Sequence, residues 1–110
     1  MAFFTIFVPG GLSEREYRRA LRSGPSGVSS RRKDHQELLV AAGFSEVDET
    51  DLTKEFLVTA RSWYDNRQRH AAELQAAEGE KAFEERRRDS SIQIDAIEAG
   101  LLRRALFVCA

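Results

Sequence analysis

Residues 38–47 read Leu38-Leu39-Val40-Ala41-Ala42-Gly43-Phe44-Ser45-Glu46-Val47, and this stretch carries the strongest indication of the fold. A helix that begins at Asp34, with Glu37 three residues on, places Leu38, Leu39 and Ala42 on one face. Gly43 ends it, because glycine tolerates the positive φ of a left-handed C-terminal cap and Phe44 then folds back on the last turn. Residues 44–50 follow as an acidic strand, which is typical of a sheet edge. The stretch therefore predicts a helix, a tight turn and an edge strand.

The N-terminal side supplies another strand. Residues 2–8, AFFTIFV, are rich in aromatic and β-branched side chains and end at Pro9-Gly10-Gly11. Continuous apolarity predicts a strand that is covered on both faces inside an α/β sheet. Ser13 and Glu16 form an S-x-x-E capping box, which predicts a short helix to about Leu21. Residues 23–30, with two glycines and a proline, predict a loop.

The C-terminal side changes to a helical period. From Asp51 to Ala77 apolar residues recur at steps of three and four, which predicts a long amphipathic helix capped by Asp51 or Thr53. Gly79 interrupts it, and a second helix is predicted up to about Gly100. Residues 105–109, ALFVC, predict a closing strand. Strands separated by helices predict one α/β domain over residues 1–110.

Composition describes a globular domain and excludes several classes of protein. The chain has 110 residues, 42% hydrophobic and 32% charged, with a net charge of -1, so no overall field attracts nucleic acid or an anionic membrane. The apolar run at residues 2–8 is far shorter than the ~20 residues of a transmembrane helix. The basic runs Arg31-Arg32-Lys33 and Arg86-Arg87-Arg88 are interpreted as solvated surface. We therefore expect no nucleic-acid partner, no membrane and no signal peptide.

Cys109 is the single cysteine of the chain. It excludes an intramolecular disulfide and leaves no second thiolate for a zinc cluster, so no metal site is predicted. A reducing compartment suits such a chain, and we predict a cytoplasmic location. Within its apolar strand, Cys109 is interpreted as a buried, inert thiol.

The helix and turn described first resemble a recurrent segment of class I S-adenosylmethionine-dependent methyltransferases. That segment is written L-L-x-x-A-G-F-x-x-V, and residues 38–47 match it at each specified position. In the family it is the last helix of the doubly wound sheet running into the sixth strand. Residues 2–8 then look like the fifth strand, and residues 106–110 are similar to the seventh, antiparallel one. The resemblance implies a partial Rossmann-like sheet of about three strands in the order five, seven, six. The helix pair of residues 53–100 resembles an insertion between strands six and seven.

The resemblance also implies a cofactor. The family holds S-adenosylmethionine at the carboxyl ends of its first strands, with a glycine-rich turn after strand one and an acidic residue ending strand two. The sequence contains no G-x-G, and its adjacent glycines, Gly10 and Gly11, follow the strand matched to strand five. We therefore expect no cofactor binding and no methyl transfer by this chain alone. Met1 is interpreted as an internal methionine used as a start, or the gene as truncated or split.

The resemblance places five residues near a methyl acceptor, namely Phe7, Pro9, Trp63, Tyr64 and His70. In related methyltransferases, helices inserted before the last strand often cover the acceptor pocket, which makes Trp63 and Tyr64 candidates to line it. Neighbours on a helix point ~100° apart, so ordinary packing with one of the two at the core is the alternative. His70 is a candidate for proton transfer because histidine titrates near neutrality. His35 is expected to be solvated, and no catalytic residue is assigned.

A sheet of strands five to seven has an unpaired edge where strand four lies in the family. Residues 2–8 then offer an apolar edge, so the predicted partner is a second copy of the chain or a separate N-terminal half. The alternative hypothesis is a non-catalytic interaction module, in which the helix pair or the edge strand binds a protein partner.

Overall fold

The computed structural model describes residues 1–25, 28 and 34–110. The basic run Arg31-Arg32-Lys33 and residues 26, 27, 29 and 30 of the predicted loop lie outside this part of the chain. The elements follow in the order β1 (Ala2–Phe7), α1 (Glu14–Ser23), α2 (His35–Ala41), β2 (Val47–Asp51), α3 (Thr53–Arg69), α4 (Ala71–Glu78), α5 (Glu80–Glu98) and β3 (Arg103–Cys109). The predicted mixture of strands and helices is confirmed.

The three strands form one sheet in the order β1-β3-β2. The closing strand β3 lies in the middle and is antiparallel to both neighbours, with Phe107 opposite Phe3 on one side and Glu49 on the other. Strands β1 and β2 therefore run parallel to each other at the two edges. A three-stranded sheet with its last strand antiparallel was predicted, and this arrangement is confirmed.

One face of the sheet is covered by α2. The inward side chains of β3 on this face are Ala105, Phe107 and Cys109, all buried. The partly buried residues Phe3, Phe7, Leu39, Phe44 and Val47 pack against them. The rings of Phe3 and Phe107 stack with their centres 5.3 Å apart. The predicted burial of Cys109 is thereby confirmed.

The opposite face is covered along only part of its length. Val8 and Ile6 pack against a second core formed with α1, α3 and α5, which includes Ala20, Phe56 and Ile97. Farther along the same face, Phe4 is 57% exposed and Val108 is 46% exposed. The prediction that residues 2–8 are covered on both faces is therefore wrong, because these helices reach only the end of the face near Ile6 and Val8.

Local capping places the helix ends where the sequence predicts them. Ser13 Oγ accepts a hydrogen bond from the Glu16 amide, and Glu16 Oε1 accepts one from the Ser13 amide, each at 3.2 Å. At the end of α2, Gly43 has φ +107° and its N–H donates to Val40, while the Phe44 N–H donates to Leu39. This pair of bonds is a Schellman motif, and the glycine cap is confirmed.

The helical insertion contains three helices instead of two. The predicted helix from Asp51 to Ala77 is divided at His70, where φ is -105° and ψ is 24°. No glycine or proline marks this division, so nothing in the local sequence indicates it. Gly79, with φ +92°, separates α4 from α5 as predicted. In the described part of the chain no helix has the length and apolar character needed to span a membrane.

Candidate functional site

A cleft of about 390 Å³ lies between α3 and α5, beside the start of β3. This volume falls within the range of about 300–1,000 Å³ that is usual for small-molecule sites. One wall is apolar and is formed by Phe56, Ala60 and Trp63, which follow each other on one side of α3. Phe56 is buried, whereas Trp63 is 68% exposed. The indole ring therefore forms an open wall that a ligand can reach from solvent.

The other lining residues are polar or cationic. They are Thr59 from α3, Ser90 and Gln93 from α5, and the arginines Arg67 and Arg104. None of the described residues that line the cleft is a carboxylate. The cleft therefore combines an aromatic wall, neutral hydrogen-bonding groups and positive charge.

Arg104 enters the cleft from the sheet. Its backbone is held at the start of α3, since its N–H donates to Thr53 Oγ1 at 3.2 Å and its carbonyl accepts from the Leu52 N–H at 2.8 Å. Its guanidinium carbon lies 5.0 Å from the centre of the Phe4 ring. No carboxylate among the described residues forms an ion pair with this half-buried side chain. Its positive charge is therefore available to a ligand.

The charge of Arg67, in contrast, is already paired. Two nitrogens of Arg67 donate to the two carboxylate oxygens of Glu78, at 3.1 and 2.7 Å, and its guanidinium carbon lies 5.6 Å from the centre of the Phe83 ring. Arg86 Nη1 lies 2.8 Å from the same carboxylate. The hydrogen bonds from Arg67, followed by the charges of Arg67 and Arg86, lower the pKa of Glu78. This network ties α3 and the end of α4 to α5.

Two of the residues predicted to lie near an acceptor are associated with β1. Phe7 is on the sheet face covered by α2, where its ring centre lies 5.2 Å from that of His35. Pro9 is half-buried directly after the buried Val8. The cleft lies on the opposite face of the sheet, so the structure does not bring Phe7 together with Trp63.

The other predicted residues lie on the helical insertion. Tyr64 is half-buried, and its hydroxyl contributes, after Glu84, to raising the pKa of Arg87. His70 is exposed at the junction of α3 and α4, with Nδ1 3.9 Å from a Glu73 oxygen. It is separated from Trp63 by about 10 Å along the helix axis. Of the five predicted residues, all in the described part of the chain, Trp63 alone lines the cleft.

Sequence reasoning missed Arg104 and misjudged His35. Arg104 directly precedes the apolar run of β3. A charged residue beside an apolar strand was the available signal for a polar site at that end of the sheet. His35 was expected in solvent, but it is half-buried, 5.3 Å from the Phe107 ring centre and close to Phe7. Its imidazole therefore belongs to the core between α2 and the sheet.

The adjacent glycines Gly10 and Gly11 lead into the N-terminus of α1. There the Ser13 amide donates to the Glu16 side chain and the Glu16 amide donates to the Ser13 side chain, so neither amide is free for a ligand.

No model of a known protein family matches the chain, and a comparison with curated proteins gives no significant match either.

Proposed function

We propose that this chain is the C-terminal part of a class I S-adenosylmethionine-dependent methyltransferase fold, and that it supplies strands five to seven of the sheet. In this proposal the chain does not bind the methyl donor itself. An N-terminal half carries the glycine-rich turn and the acidic residue that hold the donor, and the two halves act together.

The observation that supports the proposal is the strand order. Strand β2 is the next strand after β1 along the chain. In the sheet, however, β3 lies between them and is antiparallel to both. Strands that follow each other along the chain usually lie side by side, so this order is distinctive. It equals the order five, seven, six that the resemblance at residues 38–47 implies.

The free edge of β1 supports the proposed partner. In the antiparallel pairing of β1 with β3, Met1 exchanges hydrogen bonds with Cys109, at 2.7 and 2.8 Å. Because hydrogen-bonded pairs alternate along such a ladder, the backbone groups of Ala2, Phe4 and Ile6 point away from β3. These groups are placed to pair with a further strand, and strand four of the family occupies this position.

The decisive experiment joins the two halves. We expect the coding sequence upstream in the same frame, or in a neighbouring gene, to encode a strand, a glycine-rich turn and a helix. Co-expression of that segment with this chain should give a complex that binds S-adenosylmethionine in calorimetry, whereas the chain alone should not. Stoichiometric binding of the donor by the chain alone, or no such segment nearby, contradicts the proposal.

A second candidate function is a non-catalytic interaction module. The exposure of Phe4 and Val108 on the same face of the sheet favours it, because exposed apolar side chains beside an open strand edge are typical of protein contacts. In this candidate two copies of the chain pair through β1. It is distinguished from the first by the mass of the purified chain in solution and by the absence of a cofactor-binding subunit.

A further inference from the structure

We propose that the cleft between α3 and α5 binds a small aromatic anion, a molecule of one or two rings that carries a carboxylate or a phosphate. Arg104 holds the anionic group and Trp63 packs against the ring. This inference goes beyond the methyltransferase proposal and does not depend on it, because it rests on the lining of the cleft alone.

The charge of the ligand follows from Arg104. A guanidinium that is partly removed from water loses hydration, and an ion pair or charge-assisted hydrogen bonds normally compensate for that loss. Arg104 is half-buried against the ring of Phe4, and no carboxylate of the described residues pairs with it. Its planar group presents several donors in a fixed geometry that matches the two oxygens of a carboxylate or a phosphate.

Two other arginines near Arg104 differ from it, because each has a carboxylate partner. Arg103, next in the chain, points to the opposite face of the sheet and lies 3.4 Å from Asp51. Arg67, on the other side of the cleft, is held by Glu78. Of the two arginines that line the cleft, Arg104 is therefore the one that has no carboxylate partner among the described residues. No acidic side chain in that part of the chain lines the cleft, so none repels an anion there.

The aromatic part of the ligand follows from Trp63. A tryptophan that is 68% exposed presents a large flat surface to solvent, beside the buried Phe56. A planar ring that packs on the indole removes apolar area from water on both partners. Thr59, Ser90 and Gln93 make no side-chain hydrogen bond to another described residue, so their polar groups can pair with substituents of the ring.

The first test compares ligands of matched shape on the full chain. Calorimetric titration with indole-3-carboxylate and phenyl phosphate is compared with neutral indole-3-carboxamide and with inorganic phosphate. We expect at least one aromatic anion to bind about tenfold more tightly than the carboxamide and than inorganic phosphate, because each of the latter lacks one of the two contacts. The proposal is overturned if neither aromatic anion binds more tightly than both the carboxamide and inorganic phosphate.

The second test uses matched variants. Arg104→Gln should weaken binding of the preferred anion about tenfold or more, Arg104→Lys should weaken it less, and Arg103→Gln should leave it within about twofold. Trp63→Leu should also weaken it, without changing the preference for anion over carboxamide. Loss of binding in Arg103→Gln equal to that in Arg104→Gln contradicts the assigned site.

Spectroscopic signals of Trp63 allow ligand binding to be followed in the wild-type chain. It is the single tryptophan of the chain, so its fluorescence and its indole N–H resonance report on this cleft alone. Both signals should change with the aromatic anion at the concentration at which calorimetry detects binding, and higher salt should weaken the effect. Binding that leaves both signals unchanged places the ligand elsewhere and overturns the proposal, even if Arg104→Gln proves unstable.

Discussion

The guanidinium of Arg104 lies 5.0 Å from the centre of the Phe4 ring, although the two residues belong to opposite ends of the chain. The contact crosses from β3 to β1 on the sheet face that the helices cover only in part. It joins two surfaces, because Arg104 lines the cleft and Phe4 belongs to the open strand β1. A change at Phe4 can therefore affect both self-association and the environment of Arg104.

The open edge of β1 predicts self-association that a charge at Phe4 prevents. At high concentration we expect the wild-type chain to form a dimer, measured by multi-angle light scattering. Phe4→Glu should keep it monomeric, because it replaces an exposed apolar side chain beside the open edge with a charged one, which opposes strand pairing. Val58→Glu is the control, since Val58 on α3 is exposed to a similar extent, 58% against 57%. A wild-type chain that stays monomeric contradicts the homodimer but not the pairing with an N-terminal half.

The cap at Gly43 predicts a clear cost for a side chain there. Gly43→Ala should lower the free energy of unfolding by about 1–2 kcal/mol, because φ of +107° is unfavourable for any residue with a Cβ. Gly10→Ala is the matched control, since a Cβ there meets no atom within 4 Å and its φ is not positive. Its effect should stay within about 0.5 kcal/mol. Urea unfolding followed by circular dichroism measures both variants, and equal effects would contradict the role assigned to the cap.

The network around Glu78 predicts that its loss loosens the helical insertion. Glu78→Gln removes the carboxylate that forms ion pairs with both Arg67 and Arg86. It should therefore lower the melting temperature of the chain. Glu85→Gln, an exposed position on α5, removes the same charge without this network and should have a smaller effect. A Glu85→Gln variant that melts as early as Glu78→Gln would show that net charge, and not the network, is responsible.

The lowered pKa of Glu78 also sets the sign of the pH dependence. A carboxyl whose pKa is lower in the folded chain than in the unfolded chain stabilises the fold while it is ionised in both states. This contribution is complete above the unfolded pKa of about 4.3 and is lost as the pH falls through the lower, folded pKa. The difference in unfolding free energy between wild type and Glu78→Gln should therefore be constant near neutral pH and shrink below about pH 4. A difference that grows on acidification would contradict this assignment.

The sequence by itself determined the features that depend on neighbours in the chain. The capping box at Ser13, the cap at Asp34 and the glycine turn at Gly43 are all present, because each consists of hydrogen bonds between residues a few positions apart. The order of strands and helices follows from the same local periods. The position of β3 between β1 and β2 was reached through the resemblance at residues 38–47, since periodicity carries no information on strand order.

The tertiary structure alone decided which surfaces are covered and which side chains meet. Apolar residues on both faces of β1 predict full burial, but the helices cover only one end of the second face, and Phe4 remains exposed. His35 packs between Phe7 and Phe107, and Trp63 shares a cleft with Arg104 and with Ser90 of α5. These residues are far apart in sequence, and their contacts follow from the lengths and crossing of the helices, which local patterns of polarity do not encode.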